Sequence, residues 1–323
     1  MGTFGVGLRL RVARLAGAVP AGAIALAELG GVAVATEAAG FDALYLAGVD
    51  PSRVTGTRDG AGTVWADPFV ALGAVAPVTS RLALGCLATP LGERPPSLLA
   101  KVVASLDVCS AGRAVAALGP ALPRPSGSTA PEGAGVVRAG RGRSRAGGAH
   151  GEGDAIGRLG EAVEICRAML RLPAPSMEGA YYRIEQAWNE PKAERPEPTP
   201  VGLLIPGDDD GPTSAEDGEF AGLLGLAARF ADVCFLGPRL ATADGLAPIA
   251  EAFRAACRQA GRLPGSVALV PLLAAGDHAD AAVLGALGAR CRADGADGIV
   301  LDWHGGAPTG AVLDALASAL GAA

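Results

Sequence analysis

The constraint that most limits how this chain folds is an alternation, sustained from end to end, of short β-like runs with longer helix-like runs. Candidate strands occupy residues 4–10, 43–47, 82–88, 114–118, 201–205, 233–236, 267–273 and 298–301. Candidate helices occupy 21–39, 68–78, 97–110, 156–170, 220–230, 246–260, 279–294 and 310–320. Some carry their own punctuation. Asp67-Pro68 reads as an N-cap followed by proline in the first helical position, and Ser110-Ala111-Gly112 ends a helix on glycine. Strand–helix alternation predicts a parallel sheet. Eight such units favour an α/β fold of the closed (β/α)8 barrel type, with a doubly wound open sheet as the alternative. No G-x-G-x-x-G follows the first strand, which weakens a dinucleotide-binding reading.

A chain of 323 residues suits a single barrel domain spanning 1–323, and half of it is hydrophobic, enough for a sizeable core. Aromatics make up only 4%, so that core is built mainly from Ala, Val and Leu. The net charge of −6 argues against nucleic acid as a partner. The six cysteines form no C-x-x-C pair and sit mostly in apolar segments, reading as buried free thiols of a reducing, cytoplasmic protein, with no metal site. The N-terminus lacks the pattern of a signal peptide. The Ala-rich run 21–39 contains Glu28 and Glu37, so it reads as a core-facing helix and not a membrane span.

Two segments interrupt the alternation. Residues 119–154 are rich in Gly, Pro, Ser and Arg, including Arg138, Arg141, Arg143 and Arg145, and read as a long mobile loop. Residues 177–200 form a second insertion, with a short hairpin expected at "EGAYYRI".

Specific stretches then follow one order and spacing. They are "EAAGFDALYLAG" (37–48), "DPFVALGAVAPVTSRLALGCLATPLGERPPSLLAKVVASLDVCSAGR" (67–113), "EAVEICRAML…MEGAYYRIEQAWNEPK" (161–192) and "LLGLAARFADVCFLG" (223–237). Together they resemble the bacterial luciferase-like family of flavin- or deazaflavin-dependent oxidoreductases. The resemblance implies a (β/α)8 barrel with FMN or coenzyme F-420 at its C-terminal mouth. It also implies a two-electron reduction or monooxygenation of a small apolar molecule, and assembly as a homodimer or as a heterodimer with a homologue. The family lays its cofactor ring against the end of the third strand, which here carries Cys86, Ala88 and Thr89.

The chain departs from the family at three strand ends. The family's Asp-His pair after the second strand is replaced by Gly48-Val49-Asp50-Pro51, leaving Asp50 as a weak substitute or an ordinary loop-start aspartate. After the fourth strand Gly119 is kept, but Pro120 removes a backbone N–H. After the fifth, Gly207 is followed by Asp208, Asp209 and Asp210, with Glu216, Asp217 and Glu219 beyond. Carboxylates there repel a cofactor phosphate and satisfy the helix dipole themselves, which predicts weak cofactor binding.

After the eighth strand, "LDWHGG" places Trp303 as a ring-stacking candidate and His304 as a catalytic one, against the plainer reading of a strand-end histidine. His150 and His278 read as loop and helix-start residues. Two functions stay open. One is a working oxidoreductase with an altered cofactor pocket. The other is a cofactor-free, catalytically silent relative acting as a structural or regulatory subunit.

Overall fold

The computed structural model describes residues 5–10, 12–14, 24–47, 64–87, 89–90, 94–119, 152–193, 195–207, 218–241, 246–263 and 265–322. Its centre is a closed parallel barrel of eight strands. These are β1 (Gly5–Leu10), β2 (Ala43–Ala47), β3 (Ala83–Leu87), β4 (Ala114–Gly119), β5 (Val201–Ile205), β6 (Val233–Leu236), β7 (Ala268–Ala275) and β8 (Gly298–Trp303). Each strand pairs with its sequence neighbour. Closure comes from β1 against β8, with Arg9 opposite Asp302, and the open-sheet alternative is excluded. Around the barrel lie α1 (Leu29–Ala38), α2 (Pro68–Val75), α3 (Pro96–Cys109), α4 (Glu152–Arg171), α5 (Gly218–Phe230), α6 (Leu246–Gln259), α7 (Ala281–Ala293) and α8 (Gly310–Leu320).

Side chains alternate along each strand, which splits the core in two. One set, including Leu8, Leu44, Leu84, Leu203 and Leu301, packs outward against the helices. Fully burying a leucine of this kind contributes about 2 kcal/mol. The inward set, among them Ala43, Tyr45, Val115, Leu204, Phe235, Leu272 and Val300, fills the barrel.

Three aspartates pin the N-terminal rim. Asp42, Asp232 and Asp297 each stand one residue before an even-numbered strand. Their carboxylates accept the N–H of Val6 (2.7 Å), Val201 (2.9 Å) and Leu269 (2.9 Å) on the preceding strand. Their own N–H groups donate to the carbonyls of the same three residues. Each pin fixes the register of one strand pair at two points.

Helix starts and stops largely follow local chemistry. The Asp67 side chain accepts from Phe69 N and Val70 N, with Pro68 in the first turn. The helix expected over 21–39 begins only at Leu29. The Ala25 N–H donates to the Glu28 carboxylate, and a single 3-10 turn, Leu26–Glu28, precedes the helix. Residues Ile24–Ala25 pair with Val12–Arg14 as a short strand instead. The expected hairpin in the second insertion is present, Met177–Glu178 against Arg183–Ile184. Of the long segment 119–154, α4 takes 152–154, and 120–151 lies outside the described residues. No described helix is long and apolar enough to cross a membrane.

The residues that carry the family pattern fasten this frame. The Glu37 carboxylate accepts the N–H groups of Ser80 (2.9 Å), Arg81 (2.5 Å) and Leu82 (3.1 Å). Partial burial opposes ionisation of Glu37, but the hydrogen bonds outweigh it and hold its carboxyl below the ordinary value of 4.5. The unfolded chain therefore binds the proton more readily. Glu37 contributes stability above about pH 4.5 that is lost as the pH falls. Glu37→Gln is expected to flatten the dependence of the urea midpoint on pH between about 3 and 5. An unchanged slope would show that these bonds do not favour the ionised form.

Candidate functional site at the C-terminal mouth of the barrel

The floor of the mouth is aromatic. Tyr45 from β2 and Phe235 from β6 meet edge to face, ring centroids 5.4 Å apart. They fit because glycines stand opposite. A Cβ on Gly202 would lie 2.5 Å from the Phe235 ring, and one on Gly85 would lie 3.1 Å from the Tyr45 ring. Burial, with the negative charge of Asp42, pushes the Tyr45 phenol well above its ordinary pKa, so it stays neutral.

Above this floor the inner wall carries charge. Asp302 on β8 and Arg9 on β1 are register partners, with Nη1 to Oδ2 at 3.0 Å. The same Oδ2 lies 3.1 Å from Nε2 of His304. Side-chain exposure rises from 4% at Asp302 through 12% at Arg9 to 38% at His304, so the trio runs from the barrel wall outward to solvent. Ala274, the register partner of Asp302 on β7, is exposed, so the wall beside the trio is open. An ionised carboxylate accepts only. The Asp302 carboxylate thereby orients the ring, with Nε2 turned toward Oδ2.

The backbone holding His304 is tied down. Its N–H donates to Ala275 O at 2.8 Å. The Trp303 indole N–H donates to Gly306 O at 2.7 Å, and Asp277 on the β7–α7 loop accepts Gly306 N at 3.1 Å. The loop after β8 is thus fixed to both β7 and its own strand.

Among the described residues singled out in the sequence, only His304 joins this cluster. Trp303, one residue from Asp302, faces the helical layer and is 2% exposed. Cys86 likewise lies in the outer core of β3. Burial raises the pKa of the other wholly enclosed thiols, Cys166 to about 12. Gly119 ends β4 beside Pro90, and Thr89 pairs with Leu118 at the same rim. Gly207 is buried, and a Cβ there would meet Leu240 at 2.8 Å, so this turn serves close packing of β5 on β6. Asp50, Ala88, His150 and the acidic stretch 208–217 lie outside the described residues, as do Arg138, Arg141, Arg143 and Arg145. Sequence reading missed Arg9 and Asp302. The available signal was a charge at an inward position of two otherwise apolar strands. Among the described residues, no group of three or more His, Cys, Asp or Glu side chains is placed to hold a metal ion.

The fold and this mouth define a (β/α)8 barrel with a charged cluster at the C-terminal ends of β1 and β8, the end at which barrel enzymes carry their sites. The luciferase-like monooxygenase family matches residues 8–287, and the chain belongs to that family. Comparison with curated proteins gives no match. Among solved structures, the chain is similar to an F-420-dependent secondary alcohol dehydrogenase in complex with an F-420–acetone adduct. The identity is 14%, coverage 99% of both chains and TM-score 0.66. It is also similar to the coenzyme F-420-dependent tetrahydromethanopterin reductase of Methanopyrus kandleri, with 12% identity, coverage of 98% and 97%, and TM-score 0.66. EDTA monooxygenase from Chelativorans sp. BNC1 aligns at 16% identity over 99% of this chain and 92% of its own, with TM-score 0.64. At these identities the likeness concerns the fold.

Proposed function

We propose that this chain is an oxidoreductase that holds FMN or F-420 at the barrel mouth and acts on a small apolar molecule by two-electron reduction or monooxygenation. The observation that carries the reading is the Arg9–Asp302–His304 cluster above the aromatic floor of the mouth. A structural barrel has no need of a buried ion pair at that level, since hydrophobic residues of similar volume stabilise as well or better. The residues present fit an isoalloxazine-type ring in one respect. The Arg9 Nε–H is buried with no hydrogen-bond partner among the described residues, and such a ring offers acceptors.

The bound cofactor supplies the electrons. The chain's own residues supply the rest. Asp302 fixes the direction of the imidazole, Arg9 balances the charge of Asp302, and His304 accepts or returns a proton beside the substrate. The floor of Tyr45 and Phe235 excludes water from below.

Titration of the protein with FMN and with F-420, followed by fluorescence quenching and visible absorption, tests the reading. Saturable binding of one of them with a perturbed ring spectrum is expected. Failure of both to bind up to millimolar concentration would overturn it and favour the cofactor-free alternative.

A further inference from the structure

At the opposite end of the barrel, three guanidinium groups gather round a single carboxylate. Arg167 and Arg171 lie one turn apart near the end of α4, on the same face. Arg171 Nη2 reaches Asp232 Oδ2 at 2.5 Å, immediately before β6. Arg262, beyond the end of α6, donates through Nη1 to Ala231 O at 2.5 Å and through Nη2 to Ser266 O at 3.1 Å. Arg171 and Arg262 therefore meet at the Ala231–Asp232 step.

Arg167 is different. It makes no hydrogen bond or ion pair among the described residues, and its Nε is buried without a partner. The Nε of Arg171 is buried and unpartnered as well. Burial, together with the positive charges of Arg171 and Arg262, lowers the pKa of Arg167, and Asp232 only partly offsets this. A desolvated cation beside two others is unfavourable by itself. Leaving the buried Nε donor unused adds the desolvation penalty of that group. All three arginines are half-buried, so the cluster is open to solvent on one side.

We propose that Arg167, Arg171 and Arg262 form a binding site for a phosphate-type dianion at the N-terminal rim of the barrel. Three positive charges and one carboxylate leave two charges to neutralise, which a dianion matches. Tetrahedral oxyanions accept the paired N–H groups of guanidinium, and Arg167 offers an unused set. Asp232 keeps Arg171 in place, and the carbonyls of Ala231 and Ser266 keep Arg262, so the site is pre-formed apart from Arg167 itself. It lies at the end of the barrel away from the mouth and stands independently of the redox reading.

The test is thermal unfolding of the whole chain, without added cofactor, in inorganic phosphate with ionic strength held constant by chloride. The expected result is a saturable rise in Tm, roughly 2 °C at tenfold excess over the Kd. Arg167→Met is expected to abolish that rise. In the absence of phosphate the variant is expected to be no less stable than the parent, because it removes a like-charge neighbour and no bond. Calorimetric titration with phosphate and with glycerol phosphate then distinguishes a free ion from a phosphorylated small molecule. Equal affinity assigns the site to the inorganic ion, and tighter binding of the ester assigns it to the organic phosphate. No phosphate-dependent shift in the parent, or a shift that persists in Arg167→Met, would overturn the proposal. So would a variant that loses stability without phosphate, since Arg167 would then be a structural residue.

Discussion

Asp302→Asn is expected to destabilise the protein by about 3–5 kcal/mol, the usual cost of removing one partner from a buried ion pair. The substitution preserves shape, removes the charge and turns one acceptor oxygen into an NH2 donor. Arg9, 12% exposed and opposite it in register, is left as an uncompensated cation in the barrel wall. The double change Arg9→Met with Asp302→Leu removes both charges and keeps apolar volume. It is expected to recover most of the loss, to within about 1–2 kcal/mol of the parent. Urea unfolding of the three proteins checks this. A double variant as unstable as the single one would mean that the pair is needed for the fold. The refolded double variant is expected to lose turnover by about a hundredfold or more, because His304 no longer has the carboxylate that orients it. His304→Gln is expected to lose a similar factor while still binding cofactor.

Arg113→Ala is the second large effect expected, about 3 kcal/mol or more. Its guanidinium donates to the carbonyls of Ala76, Thr79 and Leu82 and to the Thr79 hydroxyl, while Nε donates to Ser110 O. That single side chain ties the turn after α2 and the end of α3 to the starts of β3 and β4. Removing it strands several acceptors at once. Arg113→Lys is expected to rescue little, because one ammonium cannot span carbonyls that a planar fork reaches together. Denaturant unfolding measures both. A loss under about 1 kcal/mol in the alanine variant would show that water replaces these bonds without cost.

Arg113 also explains why the fold was legible in the sequence and the site was not. The stretches that carried the family resemblance contain Glu37, Asp67, Arg113 and Glu161, and the structure uses all four to satisfy backbone groups. Glu161, for example, accepts the N–H groups of Ala180, Tyr181 and Tyr182 in the hairpin turn. Such residues mark a scaffold by local spacing, so the strands at 43–47, 201–205 and 233–236 were placed to the residue. The mouth cluster depends on something spacing alone does not contain. Arg9 and Asp302 stand at opposite ends of the chain and meet only because β1 closes on β8 in one register. The same period of two separates Asp302, turned inward, from Trp303, turned toward the helices. Without that register, Trp303 and Cys86 looked suitable for a cofactor, although both turn into the helical layer. The helix expected from 21 failed for a different reason. Its alanine content favours helix, but the Glu28–Ala25 contact and the short strand at Ile24–Ala25 decide where it starts.

The central claim is that redox chemistry takes place at the mouth beside His304. The chain has only three histidines, His150, His278 and His304, so an isotope-labelled protein gives a sparse imidazole NMR spectrum, and His304→Gln assigns the signal that matters. Addition of whichever of FMN or F-420 binds is predicted to move the His304 resonances more than those of either other histidine, saturating with the optical titration. Saturable cofactor binding that leaves the His304 resonances in place would contradict the account.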